Sequence, residues 1–353
     1  MIPPLSSIPQ RAERYLNSAG IDRREAQLGG LWLTTDLQRT KLDSDEELVF
    51  VDDSLEFEGK ILGAPTPSSF VLAHHKVAGV EMEGLRSVIR DAAKDLGHLE
   101  PGRVCAVGRL DKSTTGLILC TDDGDLNYLI SAGGCVKQYS AVVRMPARRL
   151  IDPSQLDKLV QGVDLKEGPA RAVYAQVVAT STEPQTDNHE PKVRHTIRLA
   201  VTEGRYHLVK RLLQSVGLPV FALHREKVGQ VDLQQLDIQP GTTIQLHCDM
   251  AAEVWNVAGG FEALAARRLG ALICRHRQNL RDNTLEPRLQ SWLEKVGDGC
   301  GFLSAPCYKL YLDLRPDAKP ARCRCSVSCR CCRCCACCDK YRVSGMDKSM
   351  HPE

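Results

Sequence analysis

The residues with the clearest chemical potential lie between Gly108 and Gly124. Asp111 stands between two glycines in Gly108-Arg109-Leu110-Asp111-Lys112-Ser113-Thr114-Thr115-Gly116. The chain then runs into the apolar segment Leu117-Ile118-Leu119-Cys120 and the turn signal Asp122-Asp123-Gly124. A carboxylate in a loop held between strands occupies a common position for a catalytic group. Its ordinary alternative is a turn former whose oxygens bond nearby backbone amides. Tyr139, in Lys137-Gln138-Tyr139, offers an aromatic face, although a half-buried strand is an ordinary place for that residue. Lys210 lies in Glu203-Gly204-Arg205-Tyr206-His207-Leu208-Val209-Lys210-Arg211, and a basic helix face is often simply solvated.

Charge narrows the choice of partner. The 353 residues carry a net charge of only +2, so any nucleic-acid surface must be a local patch. One such patch falls between Glu203 and Val228. There Arg205, Lys210, Arg211, Arg225 and Lys227 face two acids, with His207 and His224 in addition. No apolar run is long enough to predict a membrane span. Residues 1–10 lack the basic flank and apolar core of a secretory signal. Neither a P-loop nor a Gly-x-Gly-x-x-Gly string occurs. Of the 16 cysteines, nine crowd into the Arg-interleaved tract Cys323–Cys338, and the scattered others suit a reducing compartment.

Several elements must position these residues. Residues 7–20 predict a short helix, 22–28 a second, and 31–35 and 48–51 strands. Residues 42–59 carry eight acids and no base, which repels phosphate, whereas Arg11, Arg14, Arg23 and Arg24 are open to RNA contact. Residues 64–69 read as a linker. Leu85, Val88, Ile89, Ala92 and Leu96 give a helix ended by Gly97. Strands are expected at 70–73, 104–107, 117–120, 135–143, 172–178 and 193–201, and helices at 126–130, from Asp152-Pro153 onward, and from Glu203 to Gly217. Residues 181–191 read as a polar loop. Residues 261–280 and 289–296 predict helices without a recognisable motif.

Gly-Arg-Leu-Asp followed by Thr-Thr-Gly-Leu-Ile-Leu-Cys-Thr-Asp-Asp-Gly closely resembles the catalytic motif of pseudouridine synthases, most of all the branch acting on small-subunit ribosomal RNA. Lys137-Gln138-Tyr139 resembles that family's second motif, and Glu203 to Arg211 its third, with Leu208 where the family has Gln. Leu223-His224-Arg225-Glu226-Lys227-Val228-Gly229 matches as well. Lys76 and Gly79 are retained from a loop whose usual proline is missing. The likeness is close over residues 70–248 and weak over 7–60, where helices and a hairpin resemble an S4-type RNA-binding module.

The resemblance implies a mixed α/β fold: a largely antiparallel sheet with packed helices, preceded by the small module. The implied domains are 1–60, a linker at 61–69, a catalytic domain at 70–249 and an extension at 250–353. Pseudouridine formation breaks the N1–C1′ bond, turns the uracil and rejoins it through C5, so no nucleotide or metal cofactor is expected. Asp111 is implied as the acting carboxylate, Lys210 as the cation that keeps it charged, and Tyr139 as the platform for the extruded base. Arg109, Arg205, His207, Arg211, His224 and Arg225 are the expected RNA contacts. A fold salt bridge is the alternative for Arg109. The expected partner is ribosomal RNA or an assembling ribosomal subunit, met by a monomer in the cytoplasm or in a eukaryotic organelle. Two other readings are an assembly factor that keeps the fold without the reaction, and a metal–thiolate protein working through its cysteine tail.

Overall fold

The computed structural model describes residues 5–22, 24, 26, 30–36, 38–68, 70–98, 101–132, 134–183, 192–281 and 287–299. The cysteine tract Cys323–Cys338, Arg23 and most of the predicted helix at 22–28 lie outside them. The described residues from Pro9 to Leu264 form one compact unit.

The unit opens with β1 (Gln10–Arg11), α1 (Ala12–Ser18), β2 (Leu31–Thr34), β3 (Arg39–Leu42), β4 (Leu48–Val49), β5 (Ser54–Phe57) and β6 (Lys60–Leu62). A four-stranded sheet in the order β3-β2-β5-β6 packs Leu31, Leu33, Leu55 and Phe57 against Ala12, Tyr15 and Leu16 of α1. Where one helix over 7–20 was expected, the chain forms a 3-10 turn at Leu5–Ser7, pairs β1 with β4, and only then coils. The acidic stretch contains β5 because Leu55 and Phe57 alternate with Ser54 and Glu56, a strand period that the high acid count obscured. Arg14 Nη1 reaches Asp125 Oδ2 at 2.7 Å, and Arg103 Nη1 donates to the Asn17 carbonyl at 2.7 Å, tying this module to the helix Gly124–Ala132 and the 3-10 turn Pro101–Arg103.

The larger sheet contains β7 (Val71–Lys76), β8 (Cys105–Ala106), β9 (Thr115–Thr121), β10 (Lys137–Pro146), β13 (Tyr174–Thr182), β14 (Lys192–Val201), β15 (Val220–Val228), β16 (Val231–Asp232) and β17 (Thr243–Gln245). Its order is β13-β14-β10-β15-β9-β7-β17, with β8 on β9 and β16 on β15. Only β15 and β9 run parallel; the other described pairs are antiparallel. The mixed, largely antiparallel α/β fold expected from the sequence is the one present. A hairpin, β11 (Val163–Leu165) and β12 (Gly168–Ala170), stands apart from this sheet.

Helices cover the sheet: α2 (Met82–Asp95), α3 (Gly124–Ala132), α4 (Pro153–Gln161), α5 (Leu208–Ser215), α6 (Leu233–Leu236) and α7 (Cys248–Val257). In α2, Leu85, Ile89 and Ala93 form the buried stripe at the i, i+4, i+8 spacing of one helix face. In α4, Asp152 and Gln155 form a reciprocal capping box ahead of Pro153. On β10, Lys137, Tyr139, Ala141, Val143 and Met145 face the core while the alternate residues face outward. Ala141, Leu199, Ile118 and Leu72 join Leu212 and Leu213 of α5 in one apolar core. Beyond this unit come the remainder of α8 (Gly260–Arg281), and α9 (Pro287–Gly299).

Candidate active site

The site begins with the loop between β8 and β9, which carries Asp111. Loop backbone needs hydrogen-bond partners once it is buried, and here Lys76 supplies most of them. Its side chain, 0% exposed, donates from Nζ to the carbonyls of Val77 (3.1 Å), Asp111 (3.1 Å), Lys112 (3.2 Å) and Thr114 (2.9 Å). The Gly79 amide donates to the Lys112 carbonyl at 2.8 Å, and the Thr114 amide to that of Asp111 at 3.0 Å. Burial lowers the Lys76 pKa below the ordinary lysine value, against the opposing pull of Asp111. Sequence reading noted Lys76 without assigning it a task. The available signal was a lysine ending the apolar strand Val71-Leu72-Ala73-His74-His75-Lys76.

Gly116 fixes the far side of the loop. Its φ is +111°, and a Cβ there would lie 2.2 Å from the Arg225 carbonyl oxygen and 2.6 Å from its nitrogen. Only glycine allows β9 and β15 to run this close at the Arg225–Gly116 pairing.

The Asp111 carboxylate is held at both oxygens. Lys210 Nζ donates to Oδ2 at 2.6 Å, and His207 Nε2 lies 3.0 Å from Oδ1. Thr114 Oγ1 also reaches Oδ2, at 3.4 Å, while Lys210 makes a second contact to Ser113 Oγ at 3.2 Å. Lys210 comes from α5, which starts at Leu208 rather than Glu203. His207 precedes it in the left-handed conformation, φ +51° and ψ 28°. That backbone costs a non-glycine residue roughly 1–2 kcal/mol. It accompanies a helix start at Leu208 and an imidazole that reaches Asp111. Tyr206, next to it, stacks on the His207 ring with centroids 3.7 Å apart and planes at 19°.

A cavity of about 110 Å³ lies against Asp111, lined also by Arg109, Tyr139, Lys137, Leu223 and Arg225. Tyr139 and Arg225 are opposite each other across the β10–β15 pair. Arg225 is only 2% exposed, and its Nε donates to the Leu117 carbonyl at 2.6 Å. Its Nη2 is buried without a hydrogen-bond partner among the described residues. Lys137 donates to the carbonyls of Ile130 and Cys135, each at 3.0 Å, and burial lowers its pKa. The cavity wall thus combines an aromatic ring with more cationic than acidic side chains.

Asp111, Tyr139, Lys210, Arg109, Arg205, His207 and Arg225 all line this one cavity. His224 does not. Adjacent strand residues point to opposite faces, so His224 turns away from Arg225 into a separate polar cavity of about 620 Å³. There its Nδ1 meets Thr115 Oγ1 at 2.8 Å, and its ring is edge-on to His75 with centroids 5.7 Å apart. Burial, and then the neighbouring His75, lower its pKa. Arg205 is partly committed to structure: it donates to the carbonyls of Gly168 (3.1 Å) and Pro169 (2.8 Å) and lies 2.7 Å from Glu203. Arg211 pairs with Glu167 and donates to the Tyr206 carbonyl at 3.2 Å. Its hydrogen bond holds the Glu167 carboxyl below its usual range.

The arrangement can hold a planar ring beside a carboxylate whose position is fixed by Lys210 and His207. The sequence profile of the RNA pseudouridylate synthase family matches residues 71–215, which span the Asp111 loop, Tyr139 and Lys210. Ribosomal small subunit pseudouridine synthase A of Vibrio parahaemolyticus is 28% identical over 204 residues, 57% of this chain and 80% of that protein. Its namesake in Yersinia pestis is 34% identical over 151 residues, 42% of this chain and 57% of that one. Ribosomal large subunit pseudouridine synthase B of Xanthomonas campestris is 32% identical over 204 residues, 55% of this chain and 38% of that protein. The chain therefore spans most of the first relative but under two thirds of the other two. The motifs, the sheet and the cavity residues thus fall together in the segment, residues 71–215, that matches the RNA pseudouridylate synthase family.

Proposed function

We propose that this protein converts a uridine of ribosomal RNA to pseudouridine, with Asp111 as the acting carboxylate. The observation that carries the reading is the Asp111 carboxylate, held by Lys210 at 2.6 Å and His207 at 3.0 Å in a cavity shared with Tyr139. The relatives are named for the small or the large ribosomal subunit. The small subunit is our choice, since the first motif most resembles that branch.

In this reading the target base leaves its stack and enters the cavity, where Tyr139 supports its face. Asp111 acts at the sugar, as nucleophile at C1′ or as base on the ribose. The N1–C1′ bond breaks, the uracil turns, and C5 bonds to C1′ as the Asp111–C1′ bond breaks or, where Asp111 acted as base, as the ribose regains its proton. The C5 proton is lost and N1 gains one, so the product is an isomer and no redox partner or energy source enters. Lys210 stabilises the charged carboxylate. Arg109, exposed at the rim, is placed for the RNA backbone or for the gap left by the extruded base. Arg225 serves from inside the wall, and His207 through the carboxylate itself. The N-terminal module takes the place of the S4-type module that it resembles. Arg11 lies near Glu13 and Glu46 and Arg14 pairs with Asp125, which favours docking over phosphate contact for these two.

Pseudouridine mapping of ribosomal RNA treated with the purified full chain tests the proposal, on naked RNA and on ribosomal subunits. A single new pseudouridine is expected, absent with Asp111→Asn. An unmodified RNA in both preparations, bound all the same, would replace the enzyme with a non-catalytic assembly factor.

A further inference from the structure

Tyr206 is unusual for this chain. Aromatic residues make up only 5% of the sequence, yet the Tyr206 side chain is 76% exposed. A ring so exposed contributes little burial to the core. It is nevertheless ordered against a neighbour, since one of its faces lies 3.7 Å from the His207 ring. His207 in turn contacts Asp111 Oδ1 at 3.0 Å. Tyr206 is therefore one ring outward from the residue that grips the catalytic carboxylate.

The ring does not line the Asp111 cavity, so it is not a second support for the extruded base. Its separation from His207 is close to the roughly 3.4 Å spacing of stacked bases. A base laid on its open face would continue the same stack. The backbone beneath the ring is held in place: Arg211 donates to the Tyr206 carbonyl at 3.2 Å while it pairs with Glu167. The strained left-handed backbone at His207 lies next to this ring.

Resting on the function proposed above, we infer that Tyr206 is a stacking platform for the nucleobase adjacent to the target uridine, a positioning residue for single-stranded RNA at the cleft rim. The base it receives is not chosen by hydrogen bonding, because every base presents a π face. Tyr206 therefore supplies register and affinity, and target sequence is read elsewhere.

The test uses the full chain and an RNA fragment containing the mapped target, with 2-aminopurine at each neighbouring position in turn. Binding is expected to quench 2-aminopurine at one position with wild-type protein, but not with Tyr206→Ala. Tyr206→Ala should raise KM by roughly 5- to 150-fold, equivalent to about 1–3 kcal/mol of stacking, with kcat little changed. Tyr206→Phe should restore both KM and quenching. Wild-type KM in Tyr206→Ala, or a fall confined to kcat, would overturn the assignment while leaving the enzyme reading intact. Should wild-type protein modify no RNA, the enzyme reading fails and this assignment fails with it.

Discussion

The buried ammonium of Lys76 donates to the backbone carbonyl of Asp111 at 3.1 Å, while Lys210 holds the side chain of the same residue at 2.6 Å. One lysine fixes where the Asp111 loop runs and the other fixes where its carboxylate points. The two roles separate experimentally. In Lys76→Met the loop carbonyls lose a charged donor. Stability should fall by about 1.5–3 kcal/mol, the range for a hydrogen bond to a charged group, and activity should fall with it. Urea denaturation with parallel turnover measurements checks this. Unchanged stability with full activity would mean that the loop holds itself.

Lys210→Met makes the opposite prediction. Lys210 is half-buried and belongs to the cavity wall rather than to the core. Removing its charge-assisted bond should lower kcat by roughly 10- to 150-fold. RNA affinity, measured by filter binding, should change far less. Equal losses in both would make Lys210 a phosphate contact. Asp111→Asn keeps shape and loses charge, so its activity should vanish while its melting temperature stays near that of wild type.

Gly116→Ala tests the strand crossing beneath the site. The added Cβ meets Arg225 backbone at 2.2 Å, and backbone cannot swing aside as a side chain can. The φ of +111° is strained for alanine in any case. We expect a loss above about 4 kcal/mol, in the exceptional class for single substitutions, seen as a large drop in melting temperature. Melting within about 2 °C of wild type would show that β9 and β15 have room to part.

Much of this was legible in the sequence, for identifiable reasons. Asp111, Tyr139 and Lys210 sit in motifs that are read as continuous strings, and the structure brings them to one cavity. Amphipathic elements such as α2 announced themselves by period. His224 was less legible. A basic cluster counted along the chain ignores the alternation of a strand, which sends Arg225 and His224 to opposite faces. Arg205 and Arg211 were counted as free charge, but their partners Glu167 and the carbonyls of Gly168 and Pro169 come from a distant hairpin. Tertiary pairing of that kind leaves no local trace. Lys76 was missed as a structural centre for the same reason, since three of its four carbonyl partners lie more than thirty residues away.

Acid stability should depend on His74, which is buried on β7 with its Nδ1 2.8 Å from Thr243 Oγ1. Burial first, then His75 and Lys76, lower its pKa from 6.5 to about 4. In the unfolded chain this histidine takes up a proton near pH 6.5, whereas the folded chain refuses one until about pH 4. The folded state is therefore at full advantage above pH 6.5 and loses it as pH falls through that interval. The loss runs at roughly 1.4 kcal/mol per pH unit and totals about 3 kcal/mol at most. His74→Gln keeps a polar group near Thr243 and removes the titration. Carboxylates titrate in both proteins, so the comparison isolates the histidine. Urea denaturation at a series of pH values should show the wild-type curve falling more steeply than the variant between pH 6.5 and 4. Parallel curves would show that His74 is protonated in the folded protein as readily as in the unfolded one.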